Sequence, residues 1–353
     1  MEKPSARLIL VGNAPSSGST LLADIIDSAP FAACGPELEF FCNRNLYNFS
    51  DFKRSSNRSS YTATLRSTGV FFRKDHLSAY GLTGKQWEER LKNALDLPEF
   101  TDQFAEHFLS IRSKDSQGYL FEKTPQNVNA LDLYFKTFPD QPFLYLVRNP
   151  LYVIDSLLKR GWGTYTAAAT WLVHVALMWS FRKDPRMVIT RYEDLIERPF
   201  EKGSELLNKL CSGFQIDAET LKSGYESNEF RSNFAPHLSS WSTGSEREVK
   251  NANEKEISEQ SKKLAAVLLR SKISSRFAKA FNVPEITMTD ALQFFGYSRE
   301  YEEQLTPENR IIDVPKSLSD FRKMTSKTAR SWLRGDGQKI ALAHFHALEM
   351  DNF

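Results

Sequence analysis

The chain has 353 residues, 41% hydrophobic and 25% charged, with a formal net charge of +2 at pH 7. That is the composition of a globular protein with a sizeable core, and its near-neutral balance argues against a dedicated nucleic-acid binder. No apolar run reaches the roughly 18 residues of a membrane span, and three cysteines, Cys34, Cys42 and Cys211, suggest a reducing compartment without a metal framework.

The first apolar run, "RLILVG" (7–12), reads as a strand. It is too short for the apolar core of a signal peptide, so a cytoplasmic protein is expected. The loop "NAPSSGST" follows, then a helix, "STLLADIIDSA", that opens on a Ser/Thr cap. The stretch 43–75, rich in Ser, Arg and Asn, reads as a surface loop insertion. "GYLFEKT" (118–124) is a second strand, and "TPQNVNALDLYFKTF" a helix with Pro125 just inside its start. "FLYLVRN" (143–149) is a third strand, running into a helix, "PLYVIDSLLKR", that begins with Pro150. After the apolar helix "TAAATWLVHVALMWSFRK" comes the fourth strand, "RMVITRY" (186–192), then the helix "RPFEKGSELLNKL". Beyond Pro284 the pattern predicts irregular helices without strands. Strands alternating with helices predict an α/β fold: a P-loop-like parallel sheet flanked by helices over 1–284, with a helical C-terminal extension over 285–353 packed on it.

In open α/β sheets, ligands bind beyond the carboxyl ends of the strands. Here those ends carry "NAPSSGST", "EKTP", "RNP" and "RYED". The first is a strand–loop–helix whose backbone N–H groups would face an anion. Gly18 would allow a phosphate oxygen to approach closely, and Ser16, Ser17, Ser19 and Thr20 complete the loop. The nucleoside-triphosphate loop G-x-x-x-x-G-K-[ST] is not matched: five residues separate Gly12 from Gly18, and Ser19 stands at the lysine position. That weakens a kinase or NTPase reading and leaves a plain helix-capping turn as the simplest alternative. Arg148, at a strand end, and Ser156, about two turns into the next helix, could grip a second phosphate.

With "PSSGSTLL", "RNPLYVIDS" and "RYEDLIERP" in order on strand ends, the chain resembles the sulfotransferases that use 3′-phosphoadenosine-5′-phosphosulfate (PAPS). The resemblance implies the sulfotransferase fold, release of adenosine 3′,5′-bisphosphate, a 5′-phosphosulfate site at the loop, and a 3′-phosphate site at Arg148 and Ser156. It puts Tyr192 near the adenine. In "GSTLLADIIDSAPFAACGPELEF" the likeness is to the tyrosylprotein sulfotransferase branch, which implies a catalytic base at Glu37. "FEKTP" implies Lys123 near the transferred sulfuryl group, "DSLLKR" a second nucleotide-binding arginine at Arg160, and "LSSWSTG" a closing loop with Ser239 and Gly244. Heparan-type relatives carry an "EKTP"-like segment that would make Glu122 the base instead, so Glu37 and Glu122 both stand as candidates.

The family loop has Lys or Arg where this chain has Ser16. A cation there would stabilise charge on the bridging oxygen as the S–O bond breaks. Three readings follow: Lys123 takes over, another arginine reaches in, or the protein binds the nucleotide without turning it over. The implied reaction is in-line transfer to a hydroxyl or amine of a small molecule, glycan or peptide, with no metal. His237 is a weaker acid/base candidate, "HFH" (His344, His346) a weak metal pattern, and His174 reads as a core histidine.

Overall fold

The computed structural model describes residues 7–56, 74–162, 164–229, 271–298 and 348–350. Five parallel strands form the central sheet: β1 (Leu8–Asn13), β2 (Ala32–Cys34), β3 (Tyr119–Lys123), β4 (Phe143–Val147) and β5 (Met187–Arg191). Their order is β2-β3-β1-β4-β5, so the first strand lies in the middle. Leu8 pairs with Leu120 and Val11 with Lys123 on one side, and Leu10 pairs with Phe143 on the other. All four expected strands are present. β2 was not expected: it is three residues of Ala-Ala-Cys, without the β-branched or aromatic residues that mark a strand.

The strands read as unbroken apolar runs because both faces are covered. Leu8 and Leu10 of β1 enter one hydrophobic cluster, and Ile9 and Val11 enter the other. The second cluster is closed by α1 (Ser19–Asp27), through Leu22, Ile25 and Ile26, together with the later helices Pro199–Leu210 and Ala218–Ser227. The first, larger cluster takes in a ring-on-ring group around Trp87, whose ring centroid lies 5.0 Å from both Phe40 and Phe100.

The expected surface loop at 43–75 is helical where it is described. A 3-10 turn, Arg44–Tyr47, leads into α2 (Phe49–Ser56). Leu46, Phe49 and Phe52 are buried, and Arg44 makes a two-pronged ion pair with Asp132 at 2.6 and 2.9 Å. Asn45, Asn48, Ser50, Asp51 and Arg54 are exposed around these three core residues.

Two helices follow, α3 (Gly84–Asn93) and α4 (Leu97–Ile111). The helix expected after β3 begins as a 3-10 turn, Pro125–Ala130, and becomes α5 only at Leu131–Thr137. Next come α6 (Pro150–Lys159), α7 (Thr164–Trp179), α8 (Tyr192–Glu197), α9 (Pro199–Leu210) and α10 (Ala218–Ser227).

Near the C-terminus, β6 (Ser271–Ile273) precedes α11 (Ser275–Phe281) and α12 (Met288–Phe295), and β6 pairs antiparallel with β7 (Leu348–Met350). The expectation of helices without strands after Pro284 is therefore corrected: β7 is a strand. Its partner lies before position 284, so a backbone ladder crosses that boundary. Met288, Ala291, Leu292, Phe295 and Tyr297 belong to the same hydrophobic cluster as Leu8 and Leu10.

Candidate functional site

The carboxyl ends of β1, β3, β4 and β5 meet along one edge, and each carries polar residues. At the end of β1 the chain turns through Ser16 at φ 70° and Gly18 at φ 87° into α1. Gly18 is the N-cap, so the expected Ser/Thr cap is not used and no side chain closes the helix. The first-turn N–H groups of a helix have no acceptor within it, which leaves these donors pointing off the sheet edge. Glycine is required at 18 for two reasons. Its φ is left-handed, and a Cβ there would lie 2.1 Å from Cε2 of Tyr192.

Tyr192 opens α8 at the end of β5 and packs against this turn at Gly18. Its ring centroid is 4.6 Å from the Arg148 guanidinium carbon. Burial pushes the Tyr192 phenol above its usual range, and the Arg148 charge partly offsets that. Arg148, just past β4, donates from Nη1 to the Ser16 carbonyl at 3.1 Å. The loop, Arg148 and Tyr192 thus form one assembly. Ser16 Oγ, Arg148 Nε and Asn13 Oδ1 are buried there without protein partners. Buried polar atoms are nearly always paired, so these orphans suit a site completed by a polar ligand.

The end of β3 supplies the second half. Lys123 Nζ lies 2.6 Å from Glu37 Oε1, with side-chain exposures of 1% and 18%. The sheet brings this pair together across 86 residues of sequence. Glu37 is held by its backbone as well. The His76 ring Nδ1 lies 2.5 Å from the Glu37 carbonyl oxygen, which can only accept, so Nδ1 carries the proton. Tyr80 donates its hydroxyl to the Pro36 carbonyl at 2.6 Å.

Glu122 is fully buried and both its oxygens are engaged. Oε1 accepts from the Leu38 N–H at 3.0 Å and the Thr124 hydroxyl at 2.7 Å, and Oε2 from Asn127 Nδ2 at 2.8 Å. Burial pushes its pKa up against the pull of those donors. Both oxygens are therefore committed to pinning the 38–39 backbone and the turn after β3. Glu37 is the carboxylate of the two with solvent access.

Ser156 is half-buried on α6. Arg160 is exposed at the C-terminal cap of α6, about 15 Å of helix from its start. Ser239, Gly244, His237, His344 and His346 lie outside the described residues. His174 is buried and its Nδ1 donates to the Thr170 carbonyl at 2.7 Å; burial lowers its pKa to about 4, so it is a neutral core group.

Sequence reasoning missed His76, Tyr80 and Trp171 because they reach backbone carbonyls across long separations, and Asn127 because its bond to Glu122 is made only when the turn after β3 folds back. Asn149 and Glu193 were within reach of it. "RNP" places Asn149 directly before a proline-started helix, the cap position it occupies, with Oδ1 accepting from the Leu151 N–H at 3.0 Å. A cavity of about 570 Å³ lies elsewhere, between Asp27, Ser78, Arg112, Lys114 and Asn228. There Arg112 pairs with the Asp27 carboxylate, and Lys114 donates to the Asp27 and Ala29 backbone carbonyls.

No curated protein matches the sequence. Among solved structures, the sulfotransferase domain from the curacin biosynthetic pathway is 15% identical over 75% of this chain and 97% of that domain, with a TM-score of 0.48. The sulfotransferase domain of the Synechococcus PCC 7002 olefin synthase is 19% identical over 75% and 95%, with a TM-score of 0.47. Sulfotransferase STF9 from Mycobacterium avium is 15% identical over 67% and 69%, with a TM-score of 0.34. The family model described as the sulfotransferase family matches residues 8–217. That span is more than half of the chain and runs from β1 through α9, taking in the loop, the Lys123–Glu37 pair, Arg148 and Tyr192; the chain belongs to the sulfotransferase family.

Proposed function

We propose that this chain transfers a sulfuryl group from PAPS to a hydroxyl or amine of a small molecule, glycan or peptide, with Glu37 as the general base. The observation that carries the reading is the Lys123–Glu37 pair at the end of β3, one strand from the anion-ready turn after β1. When bound, PAPS supplies an activated sulfuryl group whose S–O bond to the 5′-phosphate breaks as the acceptor atom bonds to sulfur.

The residues fit such a donor. The open first turn of α1 and the Gly18 backbone offer N–H donors to the 5′ group. Arg148 and Ser156 meet the 3′-phosphate, and the Tyr192 ring flanks the base. Glu37 takes the acceptor proton as the acceptor oxygen or nitrogen attacks. Lys123 supplies the positive charge that Ser16 does not, on the edge where the departing phosphate oxygen gains charge. The tyrosylprotein-branch likeness of "GPELEF" supports Glu37 in this role; Glu122 positions the segment that bears it.

Calorimetry tests the donor: adenosine 3′,5′-bisphosphate should bind, and ATP with Mg²⁺ should not. A radiolabelled donor then tests the chemistry. Loss of turnover in Glu37→Gln, with bisphosphate affinity kept, supports the assignment. ATP binding without bisphosphate binding overturns it in favour of a kinase or NTPase. A second reading, nucleotide binding without turnover, is favoured by Ser16 itself. Tight bisphosphate binding with neither transfer nor donor hydrolysis would establish it.

A further inference from the structure

Outside the matched span, the residues around Gly296 reach back to the strand ends. α12 ends at Gly296, whose φ is 77°. Its N–H bonds the Gln293 carbonyl at 3.2 Å, and the Tyr297 N–H bonds the Leu292 carbonyl at 2.8 Å, the paired closure that glycine permits at a helix end. This reversal turns Tyr297 into the protein, where it is fully buried. Its hydroxyl donates to Glu193 Oε2 at 2.6 Å, and the Arg191 guanidinium stacks on its ring at 4.6 Å.

The other oxygen of Glu193 accepts from the Asn149 N–H at 2.9 Å. Trp171 Nε1 donates to the Arg148 carbonyl at 3.0 Å. That N–H and that carbonyl belong to one peptide group, the link between Arg148 and Asn149. It is held at both ends, and the holders are backed by the last residue of α12 and by the turn that follows it. Tyr297 backs Glu193, and Phe295 meets the Trp171 ring edge-on at 6.3 Å.

We infer that Tyr297 is a positioning residue for the donor site: through Glu193 it fixes the Arg148–Asn149 peptide and so the direction in which Arg148 leaves β4. This rests on the reading of Arg148 as the 3′-phosphate ligand. Arg148 lies within the span that the family model matches, residues 8–217, and Tyr297 lies beyond it.

Tyr297→Phe removes one hydroxyl and leaves the ring stack and the buried volume. Calorimetry should show affinity for adenosine 3′,5′-bisphosphate falling roughly tenfold, the scale of a hydrogen bond to a charged group, with affinity for adenosine 5′-phosphate changed less than twofold. In an Arg148→Ala background the same substitution should cost no further bisphosphate affinity, because the two act on one contact. A purely structural tyrosine would lower the melting temperature, leave the ratio of the two affinities unchanged, and add its effect to that of Arg148→Ala. Glu193→Gln should reproduce the selective loss. Wild-type bisphosphate affinity in Tyr297→Phe, or equal losses for both nucleotides, overturns the inference alone. A wild-type chain that binds neither nucleotide overturns the donor reading and the inference with it.

Discussion

Lys123 and Glu37 form an ion pair with the lysine almost wholly buried, so neither is free to act without the other. Lys123→Ala should lower turnover by roughly 10²-fold while bisphosphate affinity stays within a few-fold, since its contact strengthens as charge develops. Single-turnover kinetics with calorimetry checks this. Ser16→Lys should partly restore turnover to that variant. The rescue is incomplete because position 16 sits at φ 70° with its carbonyl already held by Arg148, which fixes where a new side chain can leave the loop. Near-normal turnover in Lys123→Ala would move the missing cation to another residue. At Gly18 the outcome is harsher. Gly18→Ala places a methyl into the Tyr192 ring and demands a left-handed alanine, so about 1–3 kcal/mol of stability should be lost. Bisphosphate binding should fall with it, and urea melts with calorimetry on the same sample would show both.

At the scale of elements, β3 ends in two neighbouring residues with different duties, Glu122 inward and Lys123 toward Glu37. Glu122→Gln brings an amide N–H against groups that are all donors, so it should destabilise the fold by about 1–3 kcal/mol. The pH profile of kcat/KM should keep its shape if, as proposed, Glu37 rather than Glu122 is the base. The folded Glu122 carboxyl is raised by burial, so its stabilising contribution is present in acid and is lost as pH rises through the folded value. The wild-type advantage over Glu122→Gln in urea melts should therefore be larger at about pH 5 than at about pH 7. A flat difference would show that the donors, not burial, control this group. The four long strands were legible because each is a continuous apolar run ending in polar residues. So was the position of Arg148, because it stands in the polar residues that close the run forming β4. β2 was not, since Ala and Cys carry no strand signal in three residues, nor α2, whose core contacts are two apolar letters, Phe49 and Phe52, among polar ones. The Lys123–Glu37 contact spans a crossover whose strand order had to be known first. No spacing within either segment encodes it.

Across the whole molecule, residues on both sides of position 284 share one hydrophobic cluster and one backbone ladder. A chain ending at 284 loses Met288, Leu292, Phe295 and Tyr297 from that cluster, each worth about 2–5 kcal/mol when truncated in a core. That sum rivals a typical domain's net stability of about 5–15 kcal/mol. The shortened chain should be insoluble or lack a cooperative melt, measured by calorimetry against the full chain; a normal melt would show that the segment is dispensable for folding. The central position of β1 also has a consequence in time. It leaves the ribosome before the other strands of its sheet, and its two neighbours begin only at Tyr119 and Phe143. At about 5–20 residues per second, a strand apolar on both faces waits some 7–27 seconds for its second partner. Its contacts are among the most distant in sequence, the topology that folds slowly. Nascent chains stalled before Phe143 should be protease-sensitive and bound by holdases, and protection should arise only after β4 has emerged.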